Sequence, residues 1–249
     1  MLNFFAKTSG TWINVATVLI GTGLGLLLRD RLPRSMQAII TQAVGLLTLF
    51  IGVSMAGSMA EAEAGPVDGI ILGLLALVGG GLLGEWWAIE AKLEAIGDRL
   101  KRQFRGGGKF TEGFVAASLL FCVGPLTLIG SLNNGLSGDD TLLTLKAAMD
   151  GLAAIALTGS YGLGVGFSAL VILVFQGGVS LLAGILSQQI GDPASDPGIL
   201  LATGVGGIMI LGLGLNLLQV GKIRVASFLP ALILAPMLYA IAAGLVNGG

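Results

Sequence analysis

Residues 162–188 read GLGVGFSALVILVFQGGVSLLAGILSQ, a run without one charged side chain. A hydrocarbon core of ~30 Å is crossed by roughly 20 apolar residues of α-helix. The run is continuous rather than alternating, unlike the strand of a membrane barrel. Backbone in lipid must satisfy its own hydrogen bonds, so a run of this length is a helix. Working outward, seven further stretches have the same character: 11–28, 36–59, 67–87, 113–132, 142–161, 198–220 and 226–246. The stretch 142–161 is the most polar of them. The expected fold is all-α: a polytopic transmembrane bundle of about eight helices, forming one integral membrane domain over residues 1–249.

Composition agrees. Of 249 residues, 54% are hydrophobic and 11% charged, against roughly 25% charged in a soluble domain. The 42 glycines far exceed the usual ~7%; in apolar helices glycine lets backbones approach closely. A net charge of -1 gives no electrostatic reason for a nucleic-acid partner. With no histidine and a single cysteine, Cys122, neither a Cys/His zinc site nor an imidazole triad can be assembled. No cofactor is implied. Residues 1–9 lack a basic region and a cleavage site, so the first apolar run reads as a retained helix.

The loops sort by charge. Arg29, Arg31 and Arg34 follow the first helix; Lys92, Arg99, Lys101, Arg102, Arg105 and Lys109 follow the third; Lys222 and Arg224 follow the seventh. If eight helices alternate, these loops share one side and leave only Lys7 and Lys146 elsewhere among the 13 basic residues. The other side holds Glu61, Glu63, Asp68, Asp139, Asp140, Asp192 and Asp196. The positive-inside rule makes the basic side cytoplasmic and both termini external.

Segment 85–109 is too polar to span. Trp86, Ile89, Leu93, Ile96 and Leu100 recur at helical spacing, which predicts one cytoplasmic amphipathic helix. It either lies on the membrane surface, anchored by Trp86 and Trp87, or binds a partner. Glu85 at its start reads as part of that surface helix rather than as a gate. The sequences Gly23-Leu24-Gly25 and Gly212-Leu213-Gly214 are weakly alike. Chance or common packing needs explain them about as well as duplication does. Gly21–Gly25, Gly80–Gly84 and Gly162–Gly166 are read as close-packing positions.

Chemistry concentrates in 121–151. Gly124-Pro125 falls in the middle of the fourth helix, and proline removes a donor, so the helix should kink or break there. The freed carbonyls can bond to neighbours or coordinate an ion. Ser131, Asn133 and Asn134 supply uncharged oxygen and amide groups beyond it, as does Thr127. Lys146 and Asp150 lie four apart on one helix face and can pair. A charge at bilayer centre costs ~2.5–3.5 kcal/mol or more, so Asp150 must face protein or water. It marks an ion path, or it is a structural pair near the outer interface with Lys146 reaching for the surface. Gln176, before Gly177-Gly178, reads as a pore wall or a tight crossing. Asn14, Gln42, Gln188, Asn216 and Gln219 are the remaining polar groups in the apolar stretches.

These residues resemble a known pattern. Leu120-Phe121-Cys122-Val123-Gly124-Pro125 with Ile129-Gly130-Ser131, Lys146, Asp150-Gly151, Gln176-Gly177, Gly214-Leu215-Asn216, Leu229-Pro230-Ala231 and the opening Gly10 to Asn14 resemble the bacterial YqgA-like family, numbered 554 among the domains of unknown function. The resemblance implies inner-membrane residence and no particular activity. In the family pattern an acidic residue precedes the Gly-Gly of the seventh helix; here Leu200, Leu201 and Thr203 stand before Gly206-Gly207.

Two functions fit. One is a transporter or channel for a small ion or solute, with Asp150, Lys146, Gly124, Pro125, Ser131, Asn133, Asn134 and Gln176 along its path. The alternative is a non-transporting membrane scaffold or sensor acting through 85–109. No catalytic residues are assigned, because general acid–base groups are not paired in the apolar stretches. The partners are the lipid bilayer and, through glycine faces, further copies of the chain.

Overall fold

The computed structural model describes residues 3–29, 33–63, 67–186 and 195–247. Arg31, Gln188 and Asp192 lie outside them. Eleven α-helices and a 3-10 turn make up the described chain: α1 (Phe4–Arg29), α2 (Arg34–Ala56), the single turn α3 (Ser58–Glu61), α4 (Gly69–Trp86), α5 (Ile89–Gln103), α6 (Phe110–Cys122), α7 (Pro125–Ser137), α8 (Thr141–Tyr161), α9 (Gly164–Leu186), α10 (Pro197–Leu217), the 3-10 turn Val225–Phe228 and α11 (Ala231–Asn247). Seven helical stretches are long and apolar enough to cross a membrane. The eighth is the pair α6 and α7, bent by 60° at Gly124-Pro125.

That pair crosses as one broken span. Phe110, opening α6, packs on Gly164 at the start of α9. Gly135, near the end of α7, packs on Ser180, sixteen residues along α9, which is about 24 Å of helix. Chain direction is kept through the bend, so α6–α7 runs parallel to α9 and does not return to its starting side.

Neighbouring contacts fix the two ends. At one, Asn134 of α7 donates to the Ala6 carbonyl of α1 (3.1 Å). At the other, Arg29 reaches Gly108 and Gly162, and Arg224 pairs with Glu85 at 2.5 Å. The described basic loops therefore gather at one end. The acidic end has a local cause as well. Helices α4 and α10 begin there, and Asp68 and Asp196 cap them by accepting from Ile70 N (2.7 Å) and Ile199 N (3.0 Å). A carboxylate suits the positive end of a helix dipole.

The bundle has two halves. In one, α1 lies along α8 and α9, with α6–α7 against α9. In the other, α2 lies along α10, with α11 between α10 and α4. Glycines seat both halves. A Cβ on Gly25 would come within 2.7 Å of the Ile155 carbonyl of α8, and one on Gly52 within 2.9 Å of the Gly207 carbonyl of α10. The spaced pairs Gly21–Gly25 and Gly80–Gly84 both abut the backbone of another helix, so they serve packing. Helix α10 is buried around its circumference, as its uniformly apolar sequence requires.

The polar segment after α4 departs from expectation in shape. It breaks at Ala88, which adopts φ 51°, and its helix ends at Gln103. The apolar face carrying Ile89 and Leu93 joins the protein core, and Gly97 is buried against Phe114 and Thr111 of α6. Trp86, Trp87, Ile96 and Phe104 stay exposed. Helix α10 also stops sooner than its hydropathy suggests. Asn216 closes the following turn with two hydrogen bonds to Ile223, at 2.7 and 2.8 Å, and Gln219 takes φ 60°.

Candidate functional site

Pro125 creates the site. In an unbroken helix the Phe121 carbonyl would accept from the N–H of residue 125, which proline lacks. Val123 (φ -94°, ψ 117°) and Gly124 (φ 158°, ψ 158°) are extended, and α7 restarts with Pro125 in its first turn. The orphaned Phe121 carbonyl instead accepts from Lys146 Nζ at 2.6 Å and from the Thr127 hydroxyl at 3.4 Å.

Lys146 Nζ also pairs with Asp150 Oδ2, one turn along α8. Asp150 lies nine residues after the start of α8 and eleven before its end, about 14 and 17 Å, so the pair sits near the middle of the span. Lys146 is 5% exposed and Asp150 7%. Lys146 therefore points inward to the break and does not extend to the interface.

Asp150 has a partner on α1 that the sequence did not single out. Asn14, wholly buried, donates to Asp150 Oδ2 at 2.9 Å and to Gln176 Oε1 at 3.0 Å. Gln176 of α9 donates in turn to Thr11 of α1 at 3.3 Å. Just under one turn from Ser131 along α7, Asn134 donates to Ser9 Oγ at 3.0 Å and accepts from Gly10 N at 3.2 Å. A polar seam thus runs through α1, α7, α8 and α9 from the acidic end to the break. The buried Asn14 Oδ1, Ser131 Oγ and Ser180 Oγ have no hydrogen-bond partner among the described residues, which leaves unused polar capacity.

Of the residues singled out in the sequence, Asp150, Lys146 and Gln176 come together in one network, and Gly124-Pro125 supplies the break it caps. Asn134 joins the outer part of the seam, and Ser131 lies buried in α7. Asn133 is only half-buried, and its side chain makes no hydrogen bond among the described residues; adjacent residues point about 100° apart around a helix. Gln42 is exposed on α2, and Asn216 and Gln219 belong to the turn at the basic end. Asn14 was legible as one polar residue among several and as the end of the opening Gly10 to Asn14 motif, but nothing local ties it to a residue 136 positions away.

Two cavities open in the bundle, one at the basic end and one beside the pair. One of about 990 Å³ opens at the basic end and reaches Leu119 and Leu213. Glu85, Glu90, Glu94 and Glu112 line it together with Lys109, Lys222 and Arg224. Burial pushes the Glu90 carboxyl above its ordinary value, against the opposing hydrogen bond from Ala226 N at 2.7 Å. The other, about 470 Å³, lies between α2, α8, α10 and the break, with Lys146 and Asp150 in its wall. Between the pair and the basic end the helices are filled by Phe114, Phe121, Leu157 and Ile172. Among the described residues no three Cys, Asp or Glu gather as a metal site requires.

The chain belongs to the family described as "Protein of unknown function (DUF554)", whose model matches residues 9–240. It is 28% identical over 228 residues to the uncharacterized membrane protein YdfK of Bacillus subtilis (strain 168), covering 92% of this chain and 94% of that one. It is 29% identical over 233 residues to the uncharacterized protein YqgA of Escherichia coli (strain K12), covering 91% and 94%. No solved structure matches it.

Proposed function

We propose that this membrane protein is a transporter or channel for a small ion or solute, built on the Lys146–Asp150 pair at the α6–α7 break. The observation that carries the reading is the Lys146 ammonium bonded at once to Asp150 and to the Phe121 carbonyl that Pro125 leaves open. One carboxylate and one free carbonyl are the ligands a small cation takes in a discontinuous membrane helix. Lys146 occupies that position as a tethered cation, and passage requires it to release one of its two partners. The polar seam from Asn134 to Asn14 leads to the pair from the acidic side. The charged cavity at the basic end lies on the other side, separated from the pair by the packed Phe114, Phe121, Leu157 and Ile172.

The orientation that goes with this reading has the basic end in the cytoplasm and both termini outside, in a bacterial inner membrane. The protein has no enzymatic role in it. Its partners are the bilayer, the solute and possible further copies of the chain. The alternative is a scaffold or sensor that transports nothing. It is favoured by the exposed Trp86, Trp87, Ile96 and Phe104 around α5, a surface suited to a membrane or a partner helix.

The test is flux in proteoliposomes carrying pH- and potential-sensitive dyes, under gradients of protons, sodium, potassium and chloride. Flux in the wild type that disappears in Asp150→Asn is the expected result. Equal flux in both proteins overturns the site, and no flux from folded wild type under any gradient overturns ion transport.

A further inference from the structure

The cavity of about 470 Å³ beside the pair is within the size range of small-molecule sites. Its rim is made by Leu47 of α2 and Met149 and Leu152 of α8, which are 57%, 52% and 69% exposed. These residues flank Asp150, near the middle of its span, so their exposed faces meet acyl chains and not water. The cavity therefore opens sideways into the bilayer. Its walls are apolar apart from Thr48, Thr127 and the charged pair.

The pair has bonding capacity left. An ammonium carries three donors, and Lys146 uses two, on the Phe121 carbonyl and Asp150. Asp150 Oδ2 receives both Lys146 and Asn14, while Oδ1 accepts no hydrogen bond among the described residues. One donor and one acceptor thus stand side by side on a pair of zero net charge. A ligand bringing net charge into this depth would pay the cost of any unpaired charge in hydrocarbon. A neutral group that both donates and accepts adds none.

We infer that this cavity binds an uncharged single-tailed amphiphile with a hydroxyl head, taken laterally from the bilayer, with the hydroxyl on the Lys146–Asp150 pair. The hydroxyl donates to Asp150 Oδ1 and accepts the third Lys146 N–H, and the tail lies along Leu47, Ile51 and Ala153 between α2 and α8. The inference deepens the proposed function, resting on its reading of the pair as a binding site, and it names the ligand class.

The test is photolabelling of the full-length protein in phosphatidylcholine vesicles with hexadecanol bearing a diazirine in its tail, followed by peptide mass spectrometry. Adducts are expected to concentrate on Leu47, Met149, Leu152 and Ala153. Excess hexadecanol should reduce them about tenfold, and its methyl ether, which accepts but does not donate, should compete about tenfold less well. Ala153→Trp, which fills the cavity, should remove the concentrated adducts. Lys146→Met/Asp150→Leu, which keeps the volume but not the polar floor, should make alcohol and ether compete equally. Adducts spread over all lipid-facing helices, equal competition by the ether in the wild type, or cross-links joining two copies at this face would overturn the inference. Labelling reads occupancy and not flux. Selective labelling without ion flux keeps the inference and removes the ion-transport reading; ion flux with uniform labelling does the reverse.

Discussion

Helix α1 on α8 and helix α2 on α10 are two long pairings made by the same device. In each, glycines bring one backbone against the other: Gly21 and Gly25 of α1 meet α8, and Gly52 of α2 meets Gly207 of α10. What they bury differs. The α2–α10 half holds Leu201, Val205, Met209, Ile210 and Leu213, with few polar groups such as Thr203 and a Thr48 that bonds its own helix at 2.8 Å. The α1–α8 half, with α7 and α9, buries Thr11, Asn14, Asn134, Lys146, Asp150 and Gln176. The apolar half demonstrates that glycine seating and van der Waals packing suffice to join membrane helices. The polar groups of the other half therefore call for a reason besides stability.

The largest effect expected from breaking this contrast is at Lys146. Lys146→Met leaves Asp150 buried beside Asn14 with no cation, and should cost about 3–5 kcal/mol of stability in detergent unfolding. A loss below ~1 kcal/mol would mean that the pair is not desolvated as the structure has it. The apolar half should be sensitive in another way. Gly207→Val puts a side chain against Gly52 O and the Ala56 amide of α2. Overpacking of this kind costs about 1–3 kcal/mol, read as a lower melting temperature with whatever flux the folded protein supports left intact. If Gly207→Val instead removed flux from fully folded protein, the two halves would not be separable.

Asn14→Leu sharpens the comparison at a smaller scale. It removes the donor shared by Asp150 and Gln176; Asp150 Oδ2 keeps Lys146, but leaving the buried Gln176 Oε1 unpaired should cost about 1–3 kcal/mol. The smallest effect is at the basic end. Glu90 has its pKa raised by burial above the ordinary 4.5, so the folded protein binds this proton more tightly than the unfolded chain. Its contribution is then present at pH below the unfolded value and lost as pH rises through the folded one. Glu90→Gln should flatten that decline in a pH series of melting curves. A decline unchanged by the substitution would place its origin elsewhere.

Much of this fold is legible in the sequence because a bilayer leaves so few solutions. Apolar length sets the spans, and loop charges such as Arg29, Lys109 and Arg224 assign them to ends. Gly124-Pro125 announces the break, and the spacing of Lys146 and Asp150 announces their pairing, since both are local rules. What lies outside local rules is not legible. Asn14 meets Asp150 only because α1 and α8 run side by side on glycine, a choice that hydropathy does not encode. Asn133 and Asn134 look alike until α1 shows which of them it faces. The apolar stripe of α5 was readable, yet whether it would cover lipid or protein depended on the small Gly97 fitting over Phe114.

The most direct test of the central claim, that the polar half exists for function, is the double variant Lys146→Met/Asp150→Leu, with unfolding and ion flux measured on one preparation. Replacing a buried pair by apolar residues of similar size is often neutral, or stabilising by about 1–4 kcal/mol. The expected result is a protein at least as stable as the wild type that carries no flux. A variant that conducts like the wild type, or that is several kcal/mol less stable, would contradict it and make the pair a structural element.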